Sequence, residues 1–318
     1  MRPILTLTMN PAVDICVAVE RIEPQHKLRC GPPRRDPGGG GINVARVARR
    51  LGVDPLAIYP AGGPSGALLE RELRAEDIRR IVIPIAGDTR EDFTVDERST
   101  GRQYRFVLPG PELAPDEIEA CLKALNTNLS PGAFVVASGS LPPGSPEDLY
   151  ARVASLCAAA GAQLALDCAG PPLRNALGGL FLIKPSLREF SELVGVEPRG
   201  HAACRAAAEG LVASGKTQFV ALTLGAEGAM LVGQAGSWFA RAPVVAQAST
   251  VGAGDSFLAA LMVALARDEP AQEALALAVA AGSAALLSPG TALCSAENLR
   301  TLKPEVEVQQ FDRRRVTL

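Results

Sequence analysis

The sequence is poor in aromatic residues and histidines, and its positive and negative charges nearly cancel. Aromatic residues make up 4% of the 318 residues, two histidines are present, and the formal net charge is −2. So few aromatic side chains argue against a stacking platform for single-stranded nucleic acid. The near-neutral charge argues against the basic surface of nucleic-acid binders. We therefore expect no nucleic-acid partner.

Long hydrophobic runs and paired cysteines are also missing from the sequence. No run reaches the roughly 18 apolar residues that a membrane span requires, and the alternating pattern at 4–8 indicates a strand rather than a signal peptide. Seven widely spaced cysteines without a C-x-x-C pair favour reduced thiols over a disulfide framework or a zinc site. These features predict a cytoplasmic protein with no membrane partner.

Apolar runs and helical stretches alternate along the chain. The apolar runs, each bounded by turn residues, lie at 4–8, 56–61, 134–140, 164–168, 180–185 and 219–225. Helical stretches between them include 42–52, in which the valines share one face while Arg46, Arg49 and Arg50 point away from it. The alternation predicts an α/β fold with a mostly parallel sheet, covered by helices on both faces.

Two segments, at about 14–36 and 88–108, interrupt this alternation. Each has short polar/apolar runs around Pro or Gly turns, a pattern typical of antiparallel strands with one exposed face. We interpret them as a small β-sheet lid inserted into a single α/β domain that spans 1–318. Two decorated loops are the alternative.

The strongest candidate site is the segment 249–256, S-T-V-G-A-G-D-S, which precedes an apolar helix. Small residues would leave the amides of Ala253, Gly254 and Asp255 uncovered at the positive end of that helix, where they form an anion site. A carboxylate inside such a site suits a base that accepts a proton during phosphoryl transfer. The alternative is that Asp255 only caps the helix.

Other candidates lie near a second glycine cluster and in the lid segments. The glycines at 38–41 permit close backbone approach, and Asn43 could bond sugar hydroxyls; a flexible turn is the alternative. Asp14 could accept two hydroxyl hydrogen bonds or cap a turn. Four lid cations indicate a phosphate-bearing substrate, with a solvated charged face as the alternative: Lys27, Arg29, Arg90 and Arg105.

Two further motifs lie at the ends of strands. Glu189, in K-P-S-L-R-E at 184–189, could hold magnesium through water or offset the dipole of a helix N-terminus. The glycine turn at 223–228 could hold a nucleotide or be a simple hairpin turn. The histidines show no ligand spacing.

In combination, these motifs resemble those of the pfkB-type (ribokinase-like) carbohydrate kinase family over essentially the whole chain. The matches are GGGGINVA, TLGAEGA and STVGAGDS, in the order and spacing of the family. Within it, HKLRC, QYRFVLPG, ASGSLPPG and GTALC resemble the minor bacterial ATP-dependent 6-phosphofructokinases. Relatives acting on fructose 1-phosphate or tagatose 6-phosphate typically carry lysine at the position of Gly40.

The resemblance implies a ribokinase-like, Rossmann-type fold and a kinase reaction. The ATP γ-phosphoryl group would pass to the C1 hydroxyl of fructose 6-phosphate, giving fructose 1,6-bisphosphate. The alternatives are action on fructose 1-phosphate or tagatose 6-phosphate, or a catalytically silent sugar-phosphate sensor. Mg²⁺ with ATP, a further K⁺ ion and a homodimer paired through the lid are also implied.

The resemblance assigns roles residue by residue. Asp255 would be the base, with the amides of Gly252, Ala253 and Gly254 in the anion hole. The sugar phosphate would be held by Asp14, Lys27, Arg29, Gly39, Asn43, Arg90, Arg105 and Ser138 or Gly139. The ATP site would be lined by Lys184, Ser186, Thr223, Gly225, Gly228 and Ser283. Glu189 would serve Mg²⁺ through water, and K⁺ would lie near Ser249, Val251, Ser288 and Gly290.

Three departures from the family pattern bear on these roles. Ser186 replaces the asparagine of the usual K-P-N-x-x-E motif, next to the expected ATP and magnesium site. Asp92 replaces the asparagine of T-R-x-N, which puts a negative charge beside the expected phosphate clamp. Glu23 and His26 stand near the lid where the 6-phosphofructokinases carry an aromatic residue and a glycine, so inhibition by a second ATP is not implied here.

Overall fold

The computed structural model describes residues 1–246, 249–288, 290 and 292–311. Within those ranges the strands are β1 (Ile4–Leu7), β2 (Ala12–Val19), β3 (Arg34–Gly38), β4 (Leu56–Ala61), β5 (Arg79–Pro84), β6 (Arg90–Glu97), β7 (Arg102–Phe106), β8 (Phe134–Ser138), β9 (Gln163–Asp167), β10 (Leu180–Ile183), β11 (Thr217–Thr223), β12 (Gly228–Gly233), β13 (Gly236–Arg241) and β14 (Val308–Gln310).

The helices of the same ranges are α1 (Gly40–Arg50), α2 (Gly63–Ala75), α3 (Pro115–Asn128), α4 (Leu149–Ala159), α5 (Pro171–Ala176), α6 (Leu187–Val194), α7 (Gly200–Ala213), α8 (Ala253–Ala266), α9 (Ala271–Leu286) and α10 (Ala296–Leu302). None of these helices is both long and apolar enough to cross a bilayer.

The large sheet confirms the predicted mostly parallel architecture. Among the described residues it has ten strands in the order β14-β13-β12-β11-β10-β9-β8-β1-β4-β5. The pairs from β11 to β5 run parallel, while β12, β13 and β14 continue the sheet antiparallel. The six apolar runs of the sequence correspond to β1, β4, β8, β9, β10 and β11.

Helices cover both faces of this sheet. Successive strand side chains point to opposite faces, so Ile4 packs into one core with residues of α1, α8 and α9. Its neighbour Leu5 packs into the other core, with residues of α3, α4 and α7. The strands are therefore apolar on both faces, which explains their nearly continuous hydrophobic runs.

The second sheet comes from the two interrupting segments and has the order β3-β2-β6-β7. The alternating pattern predicted antiparallel strands, but the sheet is mixed. β2 and β3 are antiparallel, as are β6 and β7, but the central pair β2 and β6 runs parallel, with Asp14 opposite Asp92. β6 follows β2 only after a long crossover through α1 and β5, the type of connection that parallel pairing requires. Residues 20–33 are loop.

The fold brings polar residues together at the carboxyl ends of the parallel strands. Ser138 and Asp167 are the last residues of β8 and β9, and Lys184 directly follows β10. These strands are neighbours in the sheet. In open α/β sheets ligands bind at this edge, so the strand order identifies where the site must be sought.

Candidate active site

A cavity of about 520 Å³ lies at this edge and is lined by residues of both sheets. Of the residues that the sequence singled out, it brings together Asp14, Gly39, Asn43, Arg90, Arg105, Ser138, Gly139, Glu189, Val251, Gly252 and Asp255. Asp92, Asp167 and Cys168 also line it. The cavity therefore combines several carboxylates with two arginines.

The start of α8 forms one wall of the cavity. Gly252 immediately precedes the helix with a φ of +76°, a left-handed conformation that favours glycine. Asp255 stands in the first turn, and its Oδ2 accepts a hydrogen bond of 2.9 Å from Nδ2 of Asn43. The carboxylate therefore lies where helix amides and the helix dipole create a positive potential.

The surroundings of Asp255 tune its protonation. Burial, followed by the nearby charge of Asp167, raises the pKa of Asp255, which reaches about 6 once all the surrounding groups act together. The hydrogen bond from Asn43 and the charge of Lys184 oppose this rise. A carboxylate with a pKa near 6 is largely ionised at pH 7 and is still basic enough to take a proton from a hydroxyl.

Asp167, which the sequence analysis missed, organises the floor of the site. Its carboxylate accepts a hydrogen bond of 3.2 Å from Ser138 Oγ and lies 3.1 Å from the Nζ of Lys184. Burial would lower the pKa of Lys184, but the charge and hydrogen bond of Asp167 keep it above its ordinary value. A Cβ on Gly254 would lie 3.4 Å from that ammonium. Lys184 therefore adds positive charge beside the N-terminus of α8.

The glycine cluster before α1 is closely packed rather than simply flexible. A Cβ on Gly38 would lie 2.4 Å from an Asp14 carboxylate oxygen, and one on Gly40 would lie 2.2 Å from Ser138 Oγ. Gly39 has a φ of +106° and a Cβ there would meet the Thr8 side chain at 2.8 Å. Only glycine lets this turn approach both sheets.

The predicted cations separate into two groups. Arg90 and Arg105 line the cavity, whereas Lys27 and Arg29 are exposed in the loop 20–33 and do not line it. Nη1 of Arg90 lies 3.2 Å from a carboxylate oxygen of Asp92 and donates a hydrogen bond of 2.8 Å to the Leu108 carbonyl. The Nε of Arg90 has no hydrogen-bond partner among the described residues.

The expected nucleotide residues lie beside the cavity, at the ends of β10 and β11. Ser186 and Thr223 form an isolated parallel bridge, and the turn after β11 contains Gly225 and Gly228 at φ values of +62° and +122°. None of these four residues lines the cavity. Ser283 is buried on α9, next to Gly282, which faces the first turn of α8.

Glu189 is engaged in a capping box with Ser186. Its Oε2 accepts hydrogen bonds of 2.8 Å from both the backbone N–H and the hydroxyl of Ser186, and its own N–H donates to that hydroxyl at 3.4 Å. This arrangement fixes the start of α6. Glu189 also lines the cavity.

The residues expected near K⁺ lie on two neighbouring loops. The Ser249 N–H donates to the Leu286 carbonyl at 3.3 Å, which ties the loop before α8 to the end of α9. Ser288 is buried, and Gly290 has a φ of +57° with Cys16 close by; Pro289 between them lies outside the described residues. No group of three or more acidic, Cys or His side chains suited to a metal occurs in the described ranges.

The sequence profile of the pfkB family carbohydrate kinases matches residues 7–298, which is most of the chain. The chain belongs to the pfkB family of carbohydrate kinases. It is 47% identical over 297 residues to ATP-dependent 6-phosphofructokinase isozyme 2 of Mycobacterium tuberculosis H37Rv, covering 93% of this chain and 87% of the relative. The corresponding Escherichia coli K12 isozyme is 38% identical over 301 residues, with 94% and 97% covered.

Other pfkB relatives and solved structures resemble this kinase. A 1-phosphofructokinase of Xanthomonas campestris is 35% identical, with 91% of this chain and 92% of the relative covered. Phosphofructokinase-2 from Escherichia coli has been solved with potassium (TM-score 0.92, 38% identity) and with fructose 6-phosphate (TM-score 0.91, 36% identity). Its tetrameric inhibited form has a TM-score of 0.90 at 37% identity. Each structure covers 96% of this chain and 99% of its own.

The shifted pKa of Asp255 predicts a pH-dependent effect of Asp255→Asn on stability. The folded protein binds this proton more tightly than the unfolded chain, because the pKa rises from 3.8 to about 6 on folding. The free energy of unfolding therefore falls as the pH rises through this window. We expect Asp255→Asn to raise the free energy of unfolding by about 2–3 kcal/mol at pH 8. At pH 5 the increase should be smaller by about 1 kcal/mol.

Urea unfolding of both proteins at the two pH values measures this difference. Asp116→Asn is the matched control, since Asp116 also lies in the first turn of a helix but is exposed on α3. It should not stabilise the protein at either pH. Destabilisation by Asp255→Asn at pH 8 would show that the Asp255 carboxylate is well accommodated in its charged form.

Proposed function

We propose that this pfkB kinase is an ATP-dependent 6-phosphofructokinase. It transfers the γ-phosphoryl group of ATP to the C1 hydroxyl of fructose 6-phosphate and releases fructose 1,6-bisphosphate and ADP. One observation carries the proposal. A single cavity holds Asp255 at the N-terminus of α8 and, from the second sheet, Arg90 and Arg105. A base with an anion site and a separate cationic group suits an acceptor that already carries a phosphate.

The chemistry at the α8 end follows from charge. As the C1 hydroxyl attacks the γ-phosphorus in line, Asp255 accepts its proton, which goes from the hydroxyl oxygen to the carboxylate. The amides of residues 252–255 and the dipole of α8 stabilise the charge on the transferred phosphoryl group. Lys184, held by Asp167 at 3.1 Å, adds a fixed positive charge beside Gly254 at the start of α8.

The other side of the cavity positions the sugar phosphate. Asp14, Asn43 and the Ser138–Gly139 end of β8 would bind the sugar hydroxyls, and Arg90 with Arg105 would bind the 6-phosphate. Arg90 lines the cavity although one of its Nη atoms lies 3.2 Å from Asp92, and its buried Nε has no hydrogen-bond partner within the described residues. Lys27 and Arg29 are exposed on the adjacent loop and would join this clamp when the second sheet closes over the substrate.

The choice of fructose 6-phosphate is supported by the residue type at position 40. A Cβ at that position would lie 2.2 Å from Ser138 Oγ, so a lysine there requires Ser138 to move. The relatives that act on fructose 1-phosphate or tagatose 6-phosphate typically have that lysine. The glycine at position 40 therefore favours fructose 6-phosphate over these two alternatives.

The nucleotide and its metal would occupy the groove beside the cavity. Ser186, Thr223, Gly225, Gly228 and Ser283 would line it. Mg²⁺ usually keeps several waters and binds one or two carboxylates together with substrate phosphates, and Glu189, which lines the cavity next to Ser186, would supply one such carboxylate through water. When bound, Mg²⁺ neutralises charge on the phosphates.

A monovalent cation and a dimer belong to the same proposal. The carbonyl oxygens of Ser249, Val251, Ser288 and Gly290 would be the neutral donors that suit K⁺. The exposed second sheet has an open edge, and pairing with a second copy would protect it. We propose a homodimer formed in this way in the cytoplasm; the tetrameric inhibited form described for the Escherichia coli neighbour is a further assembly to test for.

A coupled ADP-release assay with ATP and Mg²⁺ tests the function. We expect kcat/KM to be highest for fructose 6-phosphate when it is compared with fructose 1-phosphate and tagatose 6-phosphate. Asp255→Asn should lower kcat by about 10²–10⁴-fold, because the attacking hydroxyl loses its base, while binding of the sugar phosphate changes little. Asp116→Asn should keep wild-type turnover.

The outcomes separate the alternatives. Preference for another sugar phosphate would leave the proposed mechanism unchanged and point to Asp92 as the cause of the different substrate specificity. Bound ATP without turnover on any of the three would favour the sensor. Wild-type turnover in Asp255→Asn would refute the role of Asp255 as base.

Arg90→Ala tests the phosphate clamp. Loss of a charge-assisted contact to the 6-phosphate should raise the KM for fructose 6-phosphate about tenfold or more, with kcat changed much less. Steady-state kinetics beside Arg98→Ala, an exposed arginine of the β6–β7 turn, provide the comparison. An unchanged KM in Arg90→Ala would remove this residue from the clamp.

A further inference from the structure

Arg46 is a charged residue buried in the interior next to the active site. It points away from the apolar face of α1, as the sequence pattern predicts, yet its side chain is only 2% exposed. Its Nε and Nη2 donate to Glu76, just after α2, at 2.9 and 2.6 Å. Its Nη1 donates to the carbonyl of Pro37 at 2.9 Å and to Oδ1 of Asn43 at 3.4 Å.

The contact with Asn43 determines which way the Asn43 amide faces. A guanidinium can only donate and an ionised carboxylate can only accept. With Oδ1 toward Arg46 and Nδ2 toward Asp255, the amide satisfies both neighbours. A flipped amide would oppose donor to donor at Arg46 and acceptor to acceptor at Asp255. Arg46 therefore disfavours the orientation in which Asp255 loses its hydrogen bond.

The same guanidinium also connects to the second sheet. Pro37 belongs to β3, and Asp36 of that strand lies 3.9 Å from Nη2. Glu76 is shared with Arg50, whose Nη2 lies 3.5 Å from it. Because an arginine buried with its partners usually adds little net stability, stability alone does not account for this network next to Asp255.

We propose that Arg46 is a positioning residue for the phosphoryl transfer: it holds the Asn43 amide so that its NH₂ group donates to Asp255 and aims that carboxylate at the acceptor hydroxyl. Arg46 lines no part of the cavity and acts only through Asn43. The inference rests on the proposed function, since it assigns Arg46 to the same reaction.

The groups around Asp255 fix the direction of the expected pH effect. Burial raises the pKa of Asp255 most, and Asp167 on β9 and Asp14 on β2 raise it further, while Asn43 on α1 and Lys184 after β10 lower it. Loss of the Asn43 hydrogen bond therefore raises the pKa of Asp255 further. The acid limb of the kcat/KM profile should then move to higher pH, because the base is protonated at a higher pH.

A double-mutant cycle of Arg46→Met and Asn43→Ala tests the connection. A hydrogen bond to a charged group contributes enough that Arg46→Met should lower kcat for fructose 6-phosphate about tenfold at pH 7. In the Asn43→Ala background the same substitution should cost no more than about twofold, because coupled residues are not additive. Equal losses in both backgrounds would overturn the proposal.

Arg80→Met is the matched control for general destabilisation. Arg80 is likewise a largely buried arginine bonded to a glutamate, Glu70 at 3.1 Å, but it lies on β5 away from Asn43. Both variants should lower the urea midpoint, and only Arg46→Met should shift the acid limb. If the acid limb of the kcat/KM profile does not shift in Arg46→Met, Arg46 has only a structural role.

Two further measurements test the proposal if Arg46→Met does not fold or if the wild-type protein has no activity. If Arg46→Met does not fold, Arg46→Lys keeps a charge for Glu76 but not the planar fork that also reaches Asn43, and it should show the same shift of the limb. If the wild-type protein phosphorylates none of the three sugars, the proposed function fails, and NMR of the Asn43 side-chain amide still tests the positioning. Identical amide resonances in wild type and Arg46→Lys would overturn it.

Discussion

The N-terminus of α8 is the constraint on which the rest of the site depends, because it must hold a carboxylate and also receive phosphate. Asp255 gains from the helix dipole, but burial and Asp167 disfavour its charge. Asn43 and Lys184 restore part of the balance. The net effect raises the pKa of Asp255 to about 6, so the carboxylate is neither permanently ionised nor permanently protonated.

The large sheet delivers these groups from segments far apart in sequence. Parallel neighbours place their carboxyl ends at one edge, so the ends of β8, β9 and β10 supply Ser138, Asp167 and Lys184. The second sheet supplies Asp14 and the arginines, and the glycine turn before α1 is narrow enough for the two sheets to meet. The site exists only where these two sheets face each other.

The sequence predicted the strands, α1 and the start of α8, because burial on both faces and phosphate-binding turns leave strong local signals. It missed Asp167, since a polar residue at the end of an apolar strand resembles any strand end until the strand order is known. Helical periodicity predicted that Arg46 points away from the apolar face of α1, but it could not predict that other parts of the chain bury its side chain. The parallel pairing of β2 and β6 was also missed, because alternation of side chains carries no information on strand direction.

The pH dependence of kcat/KM for fructose 6-phosphate tests the central claim most directly. We predict an acid limb with an apparent pKa of about 6 from Asp255, below which activity falls tenfold per pH unit. The substrate phosphate titrates in the same range, so the pH dependence of fructose 6-phosphate binding to Asp255→Asn provides the correction. Activity that stays level down to pH 5 after this correction would contradict the assignment of Asp255 as the base.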